Sequence, residues 1–108
     1  MCYEKKDDKI LYIAEILYET GEVHFHYSRK MSDDGIQWIR HGKFTEYHQN
    51  GNLISVGFYD EGLESGYWKD YHENGNIAAE GHYKAGREVG KWLYYDECGK
   101  LESEEIFE

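Results

Sequence analysis

The sequence predicts an all-β protein, an elongated single-layer antiparallel β-meander built from tandem hairpin repeats. Three observations predict it. The stretch GYWKDYHENGNIAAEGHYKAGREV, Gly66 to Val89, lies in register 24 residues back on GKFTEYHQNGNLISVGFYDEGLES and 24 residues forward on GKWLYYDECGKLESEEIFE. A fixed period of this length marks a repeat architecture. Aromatic residues make up 17% of the chain, eleven of them Tyr, beside 12 Gly and no Pro, which suits pleated strands joined by tight turns. Asn50-Gly51 and Asn74-Gly75 each separate two strand-like segments, and Asn-Gly is the strongest short-range hairpin signal.

Residues Met1 to Asp8 are charged and are expected to fray. ILYIAEILY, Ile10 to Tyr18, fits either a strand or a short helix by periodicity alone. The neighbouring residues favour strand: Tyr18-Glu19-Thr20-Gly21-Glu22-Val23 resembles the turn from Tyr71 to Ile77 with one residue missing, and His24 to Tyr27 alternates. Residues 1–41 therefore read as a degenerate first repeat, and 42–65, 66–89 and 90–108 as regular repeats of one domain. Gly21 to Gly51 spans 30 residues where Gly51 to Gly75 spans 24, which places about six extra residues near Ser28 to Gly42. Insertions in repeat proteins fall in loops on one side of the array.

Strands are expected at about 43–48 and 52–59, 67–72 and 76–83, and 91–96 and 100–107, with DEGLES and KAGREV as links. A two-residue type I′ loop at Asn74-Gly75 sets His72 opposite Ile77, Asp70 opposite Ala79 and Trp68 opposite Gly81, and likewise Phe44 opposite Gly57. A large ring over a glycine on the facing strand is a known stabilising device. In the last unit Trp92 meets Glu105 instead. Strand side chains alternate and 24 is even, so equivalent positions share a face. One face gathers Phe44, Trp68 and Trp92, then Leu53, Ile77 and Leu101, then Tyr59, Tyr83 and Phe107, and is the expected core. The other carries Tyr47, Tyr71 and Tyr95. Copies on strands two apart should lie ~10 Å from one another.

A chain of 108 residues has the size of one domain. Its net charge of −10 disfavours nucleic acid and anionic lipid, both of which reward Lys and Arg, and suits a basic protein partner. Cys2 and Cys98 have no metal or redox spacing, which points to a reducing compartment, the cytoplasm; a lipoprotein leader removed before Cys2 is the alternative. No apolar run reaches the ~20 residues of a membrane helix.

The recurring pattern of Gly, aromatic, Tyr, Asn-Gly and Gly-x-Tyr from Gly42 to Phe107 resembles the MORN repeat, in the bacterial variant form of YwqK-type antitoxin proteins. That resemblance implies an elongated sheet of hairpins used for protein association and, for some members, neutralisation of a cognate toxin. MORN repeats also accompany kinases and methyltransferases as accessory units, but no kinase Gly-rich or catalytic loop occurs here. Gly99 without its Asn, and Glu105 where Gly81 stands, depart from the pattern.

No catalytic constellation emerges. His48 and His72 recur by duplication, ~10 Å apart, too far to share a zinc whose nitrogen ligands sit near ~2 Å. His24 and His26 share a strand face and could pair with a third group. Glu46 and Asp70 are too widely spaced for a retaining glycosidase pair, and SDDG at Ser32 to Gly35 lacks the remaining calcium-loop ligands. The sequence thus points to a non-enzymatic protein-binding module without metal or cofactor. Trp68, Trp92, Tyr47, Tyr71 and Tyr95 are its candidate partner contacts, and a basic toxin is the candidate partner. The alternatives are a self-associating structural protein and an accessory scaffold at a membrane surface.

Overall fold

The computed structural model describes residues 10–108; the frayed tail expected for Met1 to Asp8, and Cys2, lie outside them. The strands are β1 (Tyr12–Leu17), β2 (Val23–Met31), β3 (Trp38–Tyr47), β4 (Leu53–Asp60), β5 (Leu63–Tyr71), β6 (Ile77–Lys84), β7 (Arg87–Tyr95) and β8 (Leu101–Phe107). They form one open antiparallel sheet in sequence order, 56 × 41 × 20 Å, with no helix among the described residues. The run after Ile10 is strand, as its adjoining turn suggested.

Two kinds of turn alternate, and their chemistry is the reverse of the sequence expectation. At Asn50-Gly51 only the glycine has positive φ, +92°, and the same holds at Asn74-Gly75, where Gly75 has +97°. His48 N–H donates to Asn52 O at 2.8 Å and Gly51 N–H to His48 O at 2.9 Å, which closes a three-residue loop. A type I turn ending in a left-handed glycine has this pattern. The type I′ turns lie in the links instead: Glu61-Gly62 (φ +51° and +86°) and Ala85-Gly86 (φ +50° and +83°). Because those links are two-residue turns, β5 and β7 start about four residues earlier than expected.

The three-residue loop sets His72 opposite Asn76, and a bulge then restores the register. Tyr71 pairs with Ile77 and Asp70 with Ala79, leaving Ala78 unpaired, so Trp68 still faces Gly81. Ile54, Glu102 and His24 take the same unpaired place in their hairpins. The first hairpin follows the regular geometry, with Tyr18, not a missing residue, standing where His48 and His72 stand.

Bulges change faces as well as pairing. Leu53, Ile77 and Leu101 pair with Tyr47, Tyr71 and Tyr95, so they belong to the tyrosine face and not, as alternation implied, beside Phe44 and the tryptophans. The core is a single row: Phe44, Trp68 and Trp92 are buried, with Phe25, Tyr27, Tyr59, Tyr83 and Phe107 packed against them. Tyr59 and Tyr83 wedge edge-on between the larger rings, at 5.3 Å from Phe44, 5.4 and 5.8 Å from Trp68, and 5.2 Å from Trp92. Edge-to-face contacts at this spacing are favourable for aromatic rings.

The ring over each glycine comes from the strand on its other side. Phe44 and Trp68 are in register with Gly57 and Gly81, but a β-carbon added to Gly57 would meet Trp68 at 2.1 Å and one added to Gly81 would meet Trp92 at 2.2 Å. A second bulge explains this. Between β4 and β5 the pairing passes from Val56–Lys69 to Phe58–Ser65, so Gly66, Tyr67 and Trp68 all oppose Gly57. Gly66 takes φ +73°, which only glycine adopts freely, and this folds the indole back onto Gly57. The indole N–H of Trp68 then donates to Phe58 O at 3.0 Å, and that of Trp92 to His82 O at 3.1 Å. Leaning this way, Trp68 comes within 5.6 Å of Phe44, well inside the ~10 Å expected for strands two apart.

The extra residues near Ser28 to Gly42 lengthen a hairpin. Eight residues lie beyond the Lys30–Ile39 pair, Met31 and Trp38 forming one further strand pair, where two lie beyond the corresponding Asp60–Leu63 pair. Asp34 accepts from Ser32 Oγ and from the Ile36 N–H and shapes the tip.

Candidate functional site

With Phe44, Trp68 and Trp92 packed on one side, whose exposed rings are Tyr12 and Trp38 near β1, the opposite face carries a second set of accessible aromatics. Trp68 and Trp92 are only 6% and 2% exposed, so their rings stand in the core and offer no surface to a partner. Tyr47, Tyr71 and Tyr95 are half-buried on the second face, in line with Leu53, Ile77 and Leu101. Around them stand Phe58 and Tyr67, 51% and 42% exposed, and the more exposed Ile106. Phe58 pairs with Lys43 and Ile106 with Lys91, which fixes both on this face.

Its centre is a carboxylate held by two phenols. Tyr67 and Tyr95 each donate a hydroxyl hydrogen bond to Glu80. The Tyr67 bond, then the Tyr95 bond, and the nearby Lys69 cation hold the Glu80 carboxyl below its ordinary range, against burial. Burial first, and the Glu80 bond and charge next, push the Tyr67 hydroxyl up to about 12. Tyr95 is also raised, chiefly by its bond to Glu80. Lys69 Nζ lies 5.5 Å from the Tyr67 ring centroid and His82 packs against the same ring at 5.2 Å. Glu80 stays charged and Tyr67 and Tyr95 stay protonated across the neutral range, forming a fixed polar spot on a face that carries apolar side chains together with Lys43, Lys69 and Lys91. Sequence reasoning did not single out Tyr67 or Glu80. The available signal was Glu80 in the place held by Val56 one repeat earlier.

Toward β1, this face hollows. A depression of about 440 Å³ is lined by Glu15, Glu22, Val23, His26, Tyr47 and Gln49, among others. Two carboxylates beside a phenol ring suit a cationic side chain.

His24, His26, His41 and His72 each have a separate partner. The bulge at His24 breaks the shared face expected for His24 and His26: His24 Nε2 is 3.1 Å from Glu46, and His26 Nδ1 is 3.5 Å from Glu15. Glu46 pairs with Phe25 on the core face and Glu15 with His26 on the other. His72 Nε2 donates to Tyr95 O at 2.8 Å. Asp70 stands across Ser55 from Glu46 and accepts from Ser55 Oγ at 2.7 Å. One His-carboxylate group does gather among the described residues: His41, Asp60 and Glu61. There the His41 Nδ1 accepts the Glu61 N–H at 3.0 Å and the Glu61 carboxylate pairs with Lys30, so the group fastens the β4–β5 turn to its neighbours.

A further ladder runs along the loop edge. Asn52 Nδ2 donates to Glu73 O at 3.0 Å, and Asn74 and Asn76 both donate to Glu97 O, at 2.8 and 2.7 Å. Each asparagine loop therefore braces the next, which ties the period in the sequence to a rigid plate.

No curated protein matches the chain. The MORN repeat variant family matches residues 40–61, 64–85 and 88–108, the three regular hairpins, leaving β1 and β2 outside. Repeats of this kind generally serve as interaction modules and are generally non-catalytic. The match covers more than half of the sequence, and with the sheet just described it places this chain in the MORN repeat variant family.

Proposed function

We propose that this protein is a non-enzymatic binding module that holds a basic protein partner against its tyrosine face, in the manner of an antitoxin occluding a toxin. One observation carries the reading: Trp68 and Trp92 are buried in the core, yet the second face still presents Phe58, Tyr67, Ile106 and the Tyr47, Tyr71, Tyr95 row with no covering layer among the described residues. Antiparallel sheets tolerate one solvated face, but that face is then ordinarily polar. Aromatic side chains with hydrogen-bonding tips are the commonest interface anchors.

The net charge of the chain supports a basic partner. A net −10, together with Glu15 and Glu22 around the hollow beside Tyr47, supports steering of a cationic surface and seating of a Lys or Arg side chain. The exposed free thiol of Cys98 fits a reducing setting, and a cytoplasmic location belongs to the same proposal.

The test is direct mixing with the product of the adjoining gene, followed by light scattering at micromolar concentration. A complex weakened about tenfold or more by Phe58→Glu or Tyr71→Glu is expected, since either change sets a carboxylate inside the contact. Absence of a complex ends the antitoxin version, and a complex indifferent to both changes moves the contact off this face.

A further inference from the structure

The edge strand β1 is built like an interior one. Tyr12, Ala14 and Ile16 pair with Arg29, Tyr27 and Phe25 on the core face, while Ile13, Glu15 and Leu17 lie on the other, so apolar residues occupy both faces. Ile13 is 60% and Leu17 53% exposed. Edges of natural sheets are normally blunted by charge, proline or a bulge. β1 has no Lys and no Pro, its adjacent bulge lies on β2, and its one charge, Glu15, faces His26. The far edge obeys the rule: β8 carries Glu102, Glu104 and Glu105 in seven residues.

The strand itself specifies its cover. Turned about Ala14, the run from Ile10 to Tyr18 lays Leu11 on Leu17, Tyr12 on Ile16, Ile10 on Tyr18 and Ile13 on Glu15. An antiparallel pair related by a twofold axis through the sheet keeps each side chain on its own face, and an isologous contact demands this kind of self-complementarity. Two chains of net −10 repel one another, and β1 adds one carboxylate to a contact where β8 would add three. Pairing β1 with β8 of another copy would set three glutamates against apolar side chains, so growth stops at two.

We propose that the chain forms a twofold dimer through antiparallel pairing of β1 with β1 of a second copy, centred on Ala14, which joins two eight-stranded sheets into one. Trp38 of β3, stacked with Arg29 at 4.3 Å and edge-on to Tyr12 at 5.3 Å, supports the Tyr12 ring from the inner side of the sheet. The hollow shares Glu15 with the seam, but the Phe58, Tyr67, Tyr71 and Tyr95 surface over β4 to β7 stays open, so Phe58→Glu and Tyr71→Glu test the partner reading apart from the dimer.

Sedimentation equilibrium of the full chain tests it, with twice the 12.8 kDa chain mass expected. Ile13→Glu sets a carboxylate against Glu15 of the second copy on both sides of the axis and should raise the dissociation constant at least about tenfold. Ile13→Lys sets an opposite charge there and should keep or tighten the dimer. Hydrogen exchange at the Tyr12 to Leu17 amides should slow as wild-type concentration rises, a readout that needs no variant to fold. A monomer at every concentration, a dimer indifferent to Ile13→Glu, or equal loss with Glu and Lys would overturn the proposal.

Discussion

The indole of Trp92 lies flat against the backbone of Gly81, so close that a single added methyl would meet the ring at 2.2 Å. Trp68 treats Gly57 alike, at 2.1 Å. A glycine that normally weakens a strand here admits the ring that forms the core, and the repeat unit keeps space on one strand for a side chain from the next. Ring and gap belong to successive hairpins, which makes every hairpin depend on its neighbour for a core.

Removing a core ring should therefore loosen two hairpins together. Trp68→Ala is expected to cost about 3–5 kcal/mol, the range for large aromatic truncations. Urea unfolding would read it, and amides on both β4 and β5 should lose protection in hydrogen exchange.

The link at Ala85-Gly86 holds a side chain in a conformation that L residues avoid, with Ala85 exposed at φ +50°. Ala85→Gly or Ala85→Asn is expected to raise stability by about 0.5–1 kcal/mol, because both accept the left-handed region more readily. Thermal unfolding checks this, and a loss of stability would count against a type I′ turn there.

Glu80 and Tyr67 predict opposite limits in pH. Glu80 is depressed when folded, so its contribution is present above the ordinary carboxylate value of 4.5 and is lost as pH falls through the lower folded value. Tyr67 is raised, so its contribution is present below 10 and is lost as pH rises through about 12. Glu80→Gln should cost about 1–2 kcal/mol at neutral pH, flatten the acid limb and bring the Tyr67 titration down. Stability against pH and phenolate absorbance measure the two.

Asn76 and Asn74 both fasten the loop at Glu97, and Asn76→Ala should cost about 0.5–1.5 kcal/mol and loosen that loop, which Asn74 still holds. Asn76→Asp should do no better, since the lost group is a donor. Faster exchange of the Gly99 amide, which donates to Asp96 O at 3.0 Å, would register the change.

Much of this plate is legible in the sequence. The period marks the hairpins, and parity marks the Phe44, Trp68, Trp92 row, because duplication preserves face when the repeat is even. Bulges are illegible. Ala78 and its equivalents carry no residue signature, and they move Leu53, Ile77 and Leu101 to the other face. The pairing of Trp68 with Gly81 comes out right because a longer loop and a bulge cancel. The ring that covers Gly81 cannot be read from pairing alone, since Gly90 at φ +70° redirects Trp92 across the seam between hairpins. The Glu80 centre is hidden for another reason: its partners Tyr67 and Tyr95 come from two different repeats.

The most direct test is a double-mutant cycle in urea on Gly81→Ala and Trp92→Ala. In an ordinary strand Gly→Ala is favourable by up to about 1 kcal/mol, whereas here the methyl must displace an indole and the cost should be about 3 kcal/mol. With Trp92→Ala already present that cost should vanish or reverse, leaving a coupling of about 2–3 kcal/mol. An equal effect of Gly81→Ala in both backgrounds would show that the ring does not occupy the gap, and would contradict this packing.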